Sequence, residues 1–359
     1  MATKALVTGA NGFIGSHLVE YLQDRGDHPY AMVRETSNLD NLAGAEVEFR
    51  YASLDDIDSL SEAMQGVDVV YHVAGITAAF NSEVLDRVNS QGTANVLEAA
   101  RRAKNGPRRV LYVSSLEAAG QSHHDCARAE HHRPEPFTRY GTSKFGGEQA
   151  AWTAAQHADI EVVIVRPPLV YGPRDLDVLQ MLQSAKWGIV ATPLGRNGWI
   201  SAIHCHDLVR GIVLVGERGR KLPAGGDGRH VLEGGGAAND QPVDESSHPA
   251  GEGIYFLDDG GRHTIAHFGQ QAAAALGKKA LTIPTPKAVI WMSAVAAETA
   301  GRFTGRAPAL NRDKVTASFA TGWWCDATRA RAELGYQVEM PLDVGLHQWV
   351  GWLRENKLL

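Results

Sequence analysis

In "RYGTSK" (139–144), Tyr140 and Lys144 stand four residues apart with only small residues between them. On a helix, residues at that spacing share one face. An ammonium beside a phenol favours the phenolate and lowers a tyrosine pKa from its usual value of about 10. A tyrosine tuned in this way can give or take a proton near neutral pH. The spacing arises by chance in many helices, so its meaning depends on companions. "VLYVSSLEAAG" (110–120) supplies one: an apolar strand ends in Ser114 and Ser115, and Ser115 precedes Tyr140 by 25 residues. A serine hydroxyl at the carboxyl edge of a sheet can bind the substrate oxygen that Tyr140 protonates.

The chain opens with a second device. In "VTGANGFIGSHL", Gly9, Gly12 and Gly15 lie between an apolar run and an amphipathic one. Glycines let the backbone turn tightly and approach a pyrophosphate, which then sits at the positive end of a helix. Near the end of the second strand, an acidic side chain would bind the ribose 2′-OH of NAD, and an arginine would accept the 2′-phosphate of NADP. "YAMV" is followed by Arg34, then Glu35, with neutral Ser37 nearby. Glu35 leaves NAD possible, but charge complementarity favours NADP.

These residues need a frame that brings them together. Short β-rich runs alternate with helical ones from "KALVTGA" to "IEVVIVRPP", which predicts an α/β fold with a parallel sheet wound by helices on both faces. "WISAIHCHDLVRGIVLVGE" and "GIYFLDDG" add strand and helix material, and the tail "DATRARAELGY" and "LDVGLHQWVGWLREN" is amphipathic at helical spacing. Residues 218–253, rich in Gly, Pro and polar types, read as an inserted, mobile surface loop. "KAVIWMSAVAAETAGRF" (287–303) is interrupted by Glu298 before it reaches bilayer length, and reads as a packed helix.

The bulk numbers narrow the class. The 359 residues are 44% hydrophobic and 21% charged with a formal net charge of -6, which does not fit a nucleic-acid binder. Cys126, Cys205 and Cys325 are odd in number and far apart, so a disulfide framework is not expected and a reducing compartment, the cytoplasm, fits best. The start lacks the basic and apolar regions of a signal peptide.

The GxxGxxG spacing, "HVAG" (72–75), "VNSQGTANVLEAA" (88–100), the serine strand and the Tyr/Lys pair together resemble the extended short-chain dehydrogenase/reductase superfamily, the NAD(P)-dependent epimerase/dehydratase family. "RPPLVYGPRD" (166–175), "IHCHDLVRGIVL" (203–214) and "CDATRARAELGY" (325–336) extend the resemblance over nearly the whole chain apart from 218–253. It implies a Rossmann doubly wound domain over 1–172, continued by 199–262, and a smaller, mostly helical substrate lobe from 173–198 and 263–359. It also implies Ser115, Tyr140 and Lys144 as catalytic, with Lys144 anchoring the nicotinamide ribose and Ser114 structural. Gly9, Gly12, Phe13, Ile14, Gly15, Arg34, Ala74, Asn89, Tyr140, Lys144, Pro167 and Leu169 would border the cofactor. Relatives often carry an Asp after the third strand; in "YASLDD" Ser53 takes that place, leaving adenine to Ser53 and the Leu54 backbone. Asn89 would complete a proton relay or serve as a satisfied helix-face amide.

Within the superfamily, dehydratases resemble one another in a Thr-Asp-Glu run where this chain has Ser115, Leu116 and Glu117. Epimerases commonly place an asparagine where Leu169 stands, and a leucine has no hydrogen-bonding group. "SSLEAAG" and "PPLVYGP" look more like 3β-hydroxysteroid dehydrogenases and dihydroflavonol reductases. That resemblance implies an oxidoreductase interconverting a secondary alcohol and ketone on a hydrophobic cyclic substrate, acting as a homodimer. The alternatives are a sugar-nucleotide epimerase/dehydratase with tightly held NAD and a non-catalytic nucleotide-binding scaffold or redox sensor.

Other clusters read as structural. No metal is expected at "SHHDCARAEHHRPEP" (122–136), whose spacings match no closed ligand set and which would border the substrate entrance. In "IHCHDLV", Asp207 is expected to cap a helix rather than hold a metal with His204, Cys205 and His206. Trp323, Trp324, Trp349 and Trp352 read as packing, or as the wall of an apolar pocket.

Overall fold

Five β-runs of the first half, two further segments and the glycine turn converge on one sheet. The structure, a computed structural model, describes residues 2–157, 159–193, 198–224, 251–305, 307–308 and 310–359. Strands β1 (Lys4–Thr8), β2 (His28–Val33), β3 (Glu48–Tyr51), β4 (Val69–His72), β5 (Arg109–Val113), β6 (Glu161–Arg166) and, after three strands that pair elsewhere, β10 (Ile254–Phe256) form it. Their order is β10-β6-β5-β4-β1-β2-β3, and every pairing is parallel. The order reverses between β1 and β4, so the crevice for a ligand opens at their carboxyl ends.

Alternation along each strand sends side chains to two separate cores, since successive residues of a strand face opposite ways. Ala5, Val7, Leu111 and Val113 pack on one face with Leu18 and Leu22 of the helix Phe13–Asp24 and Leu208 and Ile212 of the helix Cys205–Arg218. Leu6, Val110 and Tyr112 pack on the other with Val96 and Leu97 of the helix Gly92–Arg102 and Ala151 and Trp152 of the helix Arg139–Ala155. This is the Rossmann-like α/β fold that the alternation of runs predicts.

Two smaller strand pairs complete the far side. β7 (Leu169–Tyr171) pairs with β9 (Ala202–His204), and β8 (Ile189–Pro193) pairs with β11 (Leu281–Thr285). A third core around Tyr171, Phe268, Leu346 and the fully buried Trp349 joins the tail helix Leu342–Glu355 to this region.

Several expectations change here. The predicted insertion 218–253 is partly framework at its ends: Leu222 is buried, its N–H donates to Val162 O, and the Ile164 N–H donates to Gly253 O. Residues 225–250 lie outside the described residues. The helix Lys287–Thr304 forms as expected but is only partly packed: Ala294 is buried, Val289, Ile290 and Ser293 roof a cavity, and Trp291, Met292 and Val295 are 40%, 62% and 40% exposed. Among the described residues no helix is long and apolar enough to cross a membrane.

Candidate active site

The glycine turn is built by steric necessity. Gly9 adopts φ +66°, and a Cβ on it would lie 2.8 Å from the Ala74 Cα; a Cβ on Gly15 would lie 2.1 Å from Gly9 O. Only bare backbone fits at these points. The turn closes with Gly12 N–H donating to Gly9 O at 2.9 Å, and the helix Phe13–Asp24 starts directly after it. Neither Gly12 nor the first turn supplies a side-chain cap or an acidic residue, so the N–H groups of that helix end stay available to an anion.

From this turn a cavity of about 1250 Å³ runs across the ends of the sheet. Ordinary small-molecule sites occupy roughly 300–1,000 Å³, so this one has room for a dinucleotide and a second molecule. Gly9, Gly12, Phe13, Ile14, Gly15, Arg34, Ser53, Leu54, Ala74, Ser115, Tyr140, Lys144, Pro167 and Leu169 all line it. Ser37 also lines it, whereas Glu35 does not. The opposite end is walled by Val289, Ile290, Leu310, Val315 and Trp323, with Trp323 stacked on Phe137 at 5.5 Å.

Asn89 is placed differently. It is fully buried, with Nδ2 donating to Ile76 O and Ser143 Oγ at 2.9 Å each and Oδ1 accepting from Ile76 N–H at 3.0 Å. Its amide ties the loop after β4 to the helix of Tyr140, and Asn89 is not among the cavity-lining residues. Of the two readings the sequence leaves open, the satisfied amide describes this geometry.

Ser115 stands at the N-cap of the short helix Leu116–Ala119, its Oγ accepting the Glu117 N–H at 3.1 Å. Ser115 and Tyr140 line the same cavity, and Ser115 acts to lower the Tyr140 pKa. Capping uses a lone pair and leaves the hydroxyl in the cavity wall. Ser114 is consumed structurally: its hydroxyl donates to Glu148 at 2.5 Å, and Glu148 forms a fully buried pair with Arg166 at 2.6 and 2.8 Å.

Thr138 caps the helix Arg139–Ala155, which carries Tyr140 and Lys144. Lys144 Nζ donates to Val113 O at 2.7 Å and lies 4.5 Å over the Tyr112 ring. Burial pulls its pKa down to about 7, with Glu148 acting in the opposite sense. Burial pushes the half-buried Tyr140 up to about 12, and Lys314 pulls it back. Besides burial, Lys314 favours the phenolate and Glu117 and Asp177 oppose it.

The cavity wall contains residues that local motifs do not mark, namely Asp55, Asp175, Asp177 and Lys314. Asp175 is 3% exposed; one carboxylate oxygen accepts from Asp177 and Val178 N–H groups at 2.9 and 3.3 Å, and the other is buried with no partner among the described residues. Burial raises its pKa from 3.8 to about 7. Between those values the folded state holds the proton that the unfolded state releases, so stability falls as pH rises through that window. Asp175→Asn should therefore stabilise the protein by on the order of 2 kcal/mol at about pH 8 and by little near pH 4. Thermal melts at the two pH values check this, and an equal gain at both would contradict it.

Asp207 does not cap its helix. The His204 side chain takes that position, accepting the His206 N–H at 3.3 Å, because it directly precedes the first turn. Asp207 is buried and accepts from the Glu339 and Met340 N–H groups, pinning the C-terminal segment. His206, Asp207 and Glu339 approach within 4.8 Å of one another, but the Asp207 carboxylate is already engaged by those amides and by Arg210. The histidines of 122–136 do not line the cavity; the segment docks through bridges from Arg128 to Cys325 and from Gly120 to Glu135.

Residues 5–228 match the NAD dependent epimerase/dehydratase family. The chain belongs to that family. It is an enzyme of NAD(P)-dependent oxidoreductase type. Among relatives, it is 35% identical over 217 residues to a ceramide reductase of Caulobacter vibrioides, a match covering 59% of this chain and 62% of that one, less than two thirds of its length. It is 24% identical over 367 residues to 3beta-hydroxysteroid-dehydrogenase/decarboxylase isoform 1 of Arabidopsis thaliana, covering 96% and 78% of the two chains. The structure of a UDP-glucose 4-epimerase from Thermotoga maritima, with UDP-glucose, superposes with a TM-score of 0.73 over 98% of this chain and 99% of that chain, at 19% identity, a likeness of fold.

Proposed function

We propose that the protein interconverts a secondary alcohol and a ketone on a hydrophobic cyclic substrate, using NADP(H). The observation carrying this reading is one cavity that joins the glycine turn and the Ser115, Tyr140 and Lys144 side chains to an apolar far wall. Apolar walls with few polar groups suit a ring system with little charge. Leu169 in that wall offers no hydrogen bond to a nucleotide phosphate.

The residues fit the dinucleotide. The glycine turn admits only backbone at the pyrophosphate position, and the helix end beyond it attracts the charge. Arg34 and Ser37 in the wall, with Glu35 turned out of it, support NADP over NAD. Ser53 and Leu54 border the adenine end, and Lys144 Nζ, lying against Gly75, is the ribose anchor. When bound, the nicotinamide supplies or accepts the hydride at its C4. Tyr140 Oη gives the proton to the carbonyl oxygen in reduction and takes it from the carbinol in oxidation, while the Ser115 hydroxyl orients that oxygen.

We take 173–198 and 263–359 as the substrate lobe and the working form as a homodimer, as the family resemblance implies. The three free thiols support a cytoplasmic location.

Purified protein mixed with NADPH and a 3-ketosteroid or a dihydroflavonol, and separately with UDP-glucose, tests the reading. The expected result is loss of NADPH absorbance with a cyclic ketone. Inversion of the sugar with no net change in absorbance would establish epimerase chemistry instead, and cofactor binding without turnover on either would point to a scaffold.

A further inference from the structure

Two lysines border Tyr140, and they are held in different ways. Lys144 spends a hydrogen on Val113 O and stands over the Tyr112 ring. Lys314 comes from the helix Arg312–Ser318, far along the chain, and places its Nζ 4.9 Å from the centroid of the Tyr140 ring. That ammonium is fixed by Glu117 Oε1 at 2.9 Å, and Glu117 is fixed in turn by the Thr138 hydroxyl at 2.7 Å. The neighbouring Asp313 accepts the backbone N–H groups of Arg139 and Tyr140 at 2.9 and 3.1 Å. The helix Arg312–Ser318 therefore clasps the first turn of the helix that carries the phenol.

We propose that Lys314 is a positioning residue whose ammonium, paired with Glu117, sets the proton affinity of Tyr140, a role the Tyr/Lys spacing assigns to Lys144. The proposal rests on the reading of Tyr140 as the acid/base. An opposite charge within about 4–6 Å favours the ionised form. The charged groups facing the phenol are Lys314, which favours the phenolate, and Glu117 and Asp177, which oppose it; burial also opposes it. The clasp makes proton transfer depend on a segment that also lines the apolar end of the cavity through Val315 and Ala317. Binding of substrate there and readiness of the phenol are thereby linked.

The test reads protonation directly and needs no substrate. In full-length protein saturated with NADP⁺, phenolate absorbance is followed from neutral pH to about pH 12, and the Tyr140→Phe spectrum is subtracted to isolate one residue. Lys314→Gln removes the charge while keeping a donor for Glu117. It should move the Tyr140 step up by about one pH unit or more, leaving ~10-fold less phenolate at a fixed pH below the midpoint. Lys314→Arg should return the step toward that of the parent. A merely structural lysine would leave the step in place. Coincident curves for the parent and Lys314→Gln, including two flat ones, overturn the proposal, as does a shift produced by Lys144→Gln alone. Should Lys314→Gln fail to fold, Glu117→Gln decides: the step moves to lower pH if the pair sets it, and an unmoved step overturns the proposal. Turnover retained in Tyr140→Phe would instead remove the acid/base reading, a result independent of these titrations.

Discussion

Tyr140→Phe should lower turnover by roughly 10²–10⁴-fold while NADPH affinity changes only a few-fold. The substitution removes one oxygen from a half-buried ring and leaves the ring in place, so the helix Arg139–Ala155 and its Thr138 cap are retained. What disappears is the proton carrier beside Ser115. The cofactor contacts proposed at Gly9, Gly12, Gly15, Arg34 and Lys144 are untouched, because none of them passes through the phenol. Steady-state rates with the active cyclic ketone, together with fluorescence titration of NADPH, separate the two quantities. Turnover within tenfold of the parent would remove Tyr140 from its role.

The second large effect is on stability. Arg166 and Glu148 are both fully excluded from solvent and joined by two hydrogen bonds, with Ser114 donating to the same carboxylate. Removing one partner strands the other as an uncompensated charge in a dry interior, which costs about 3–5 kcal/mol. Arg166→Met should therefore lower stability by about that amount, measured as a drop in the midpoint of chemical denaturation at unchanged slope. A loss under about 1 kcal/mol would show that water reaches Glu148. The pair bridges the end of β6 and the helix of Tyr140 and Lys144, so partial loosening should also reduce turnover before the protein unfolds.

What the sequence made legible was local. Gly9, Gly12 and Gly15, the serine pair and the Tyr/Lys pair are each contained in a short stretch with a defined spacing, and the structure brings all of them to one cavity. Six strands of the sheet were legible for the same reason, as apolar runs between helical ones, whereas the edge strand β3 carries Glu48 and Arg50 and has exposed ends. The pairing of β8 with β11 was not: β11 carries Pro284, which argues against a strand, and its register depends on a partner some ninety residues away. Lys314, Asp313 and Asp175 escaped because their meaning lies entirely in distant partners or in burial, and neither is written at their own positions. Asp207 shows a subtler limit. It lies inside the first turn of the helix Cys205–Arg218, past the cap position that His204 takes, and its carboxylate serves the Glu339 and Met340 amides of the tail instead. In the helix Lys287–Thr304 the apolar residues matched a core pattern, but a roof over a cavity has the same composition as a buried helix.

The cavity has two builders. Its nucleotide end comes from the first 75 residues or so of continuous chain, locked into the parallel sheet at every strand. Its far wall comes from the segments around Val190, Thr264, Val289 and Val315, none of which belongs to the seven-stranded sheet. Substitutions at Val190 or Val289 would change that wall while leaving the sheet hydrogen bonds and the clasp of Lys314 and Asp313 in place. One end of the cavity can thus be recut for a differently shaped guest while the other, set by sheet backbone, keeps its outline.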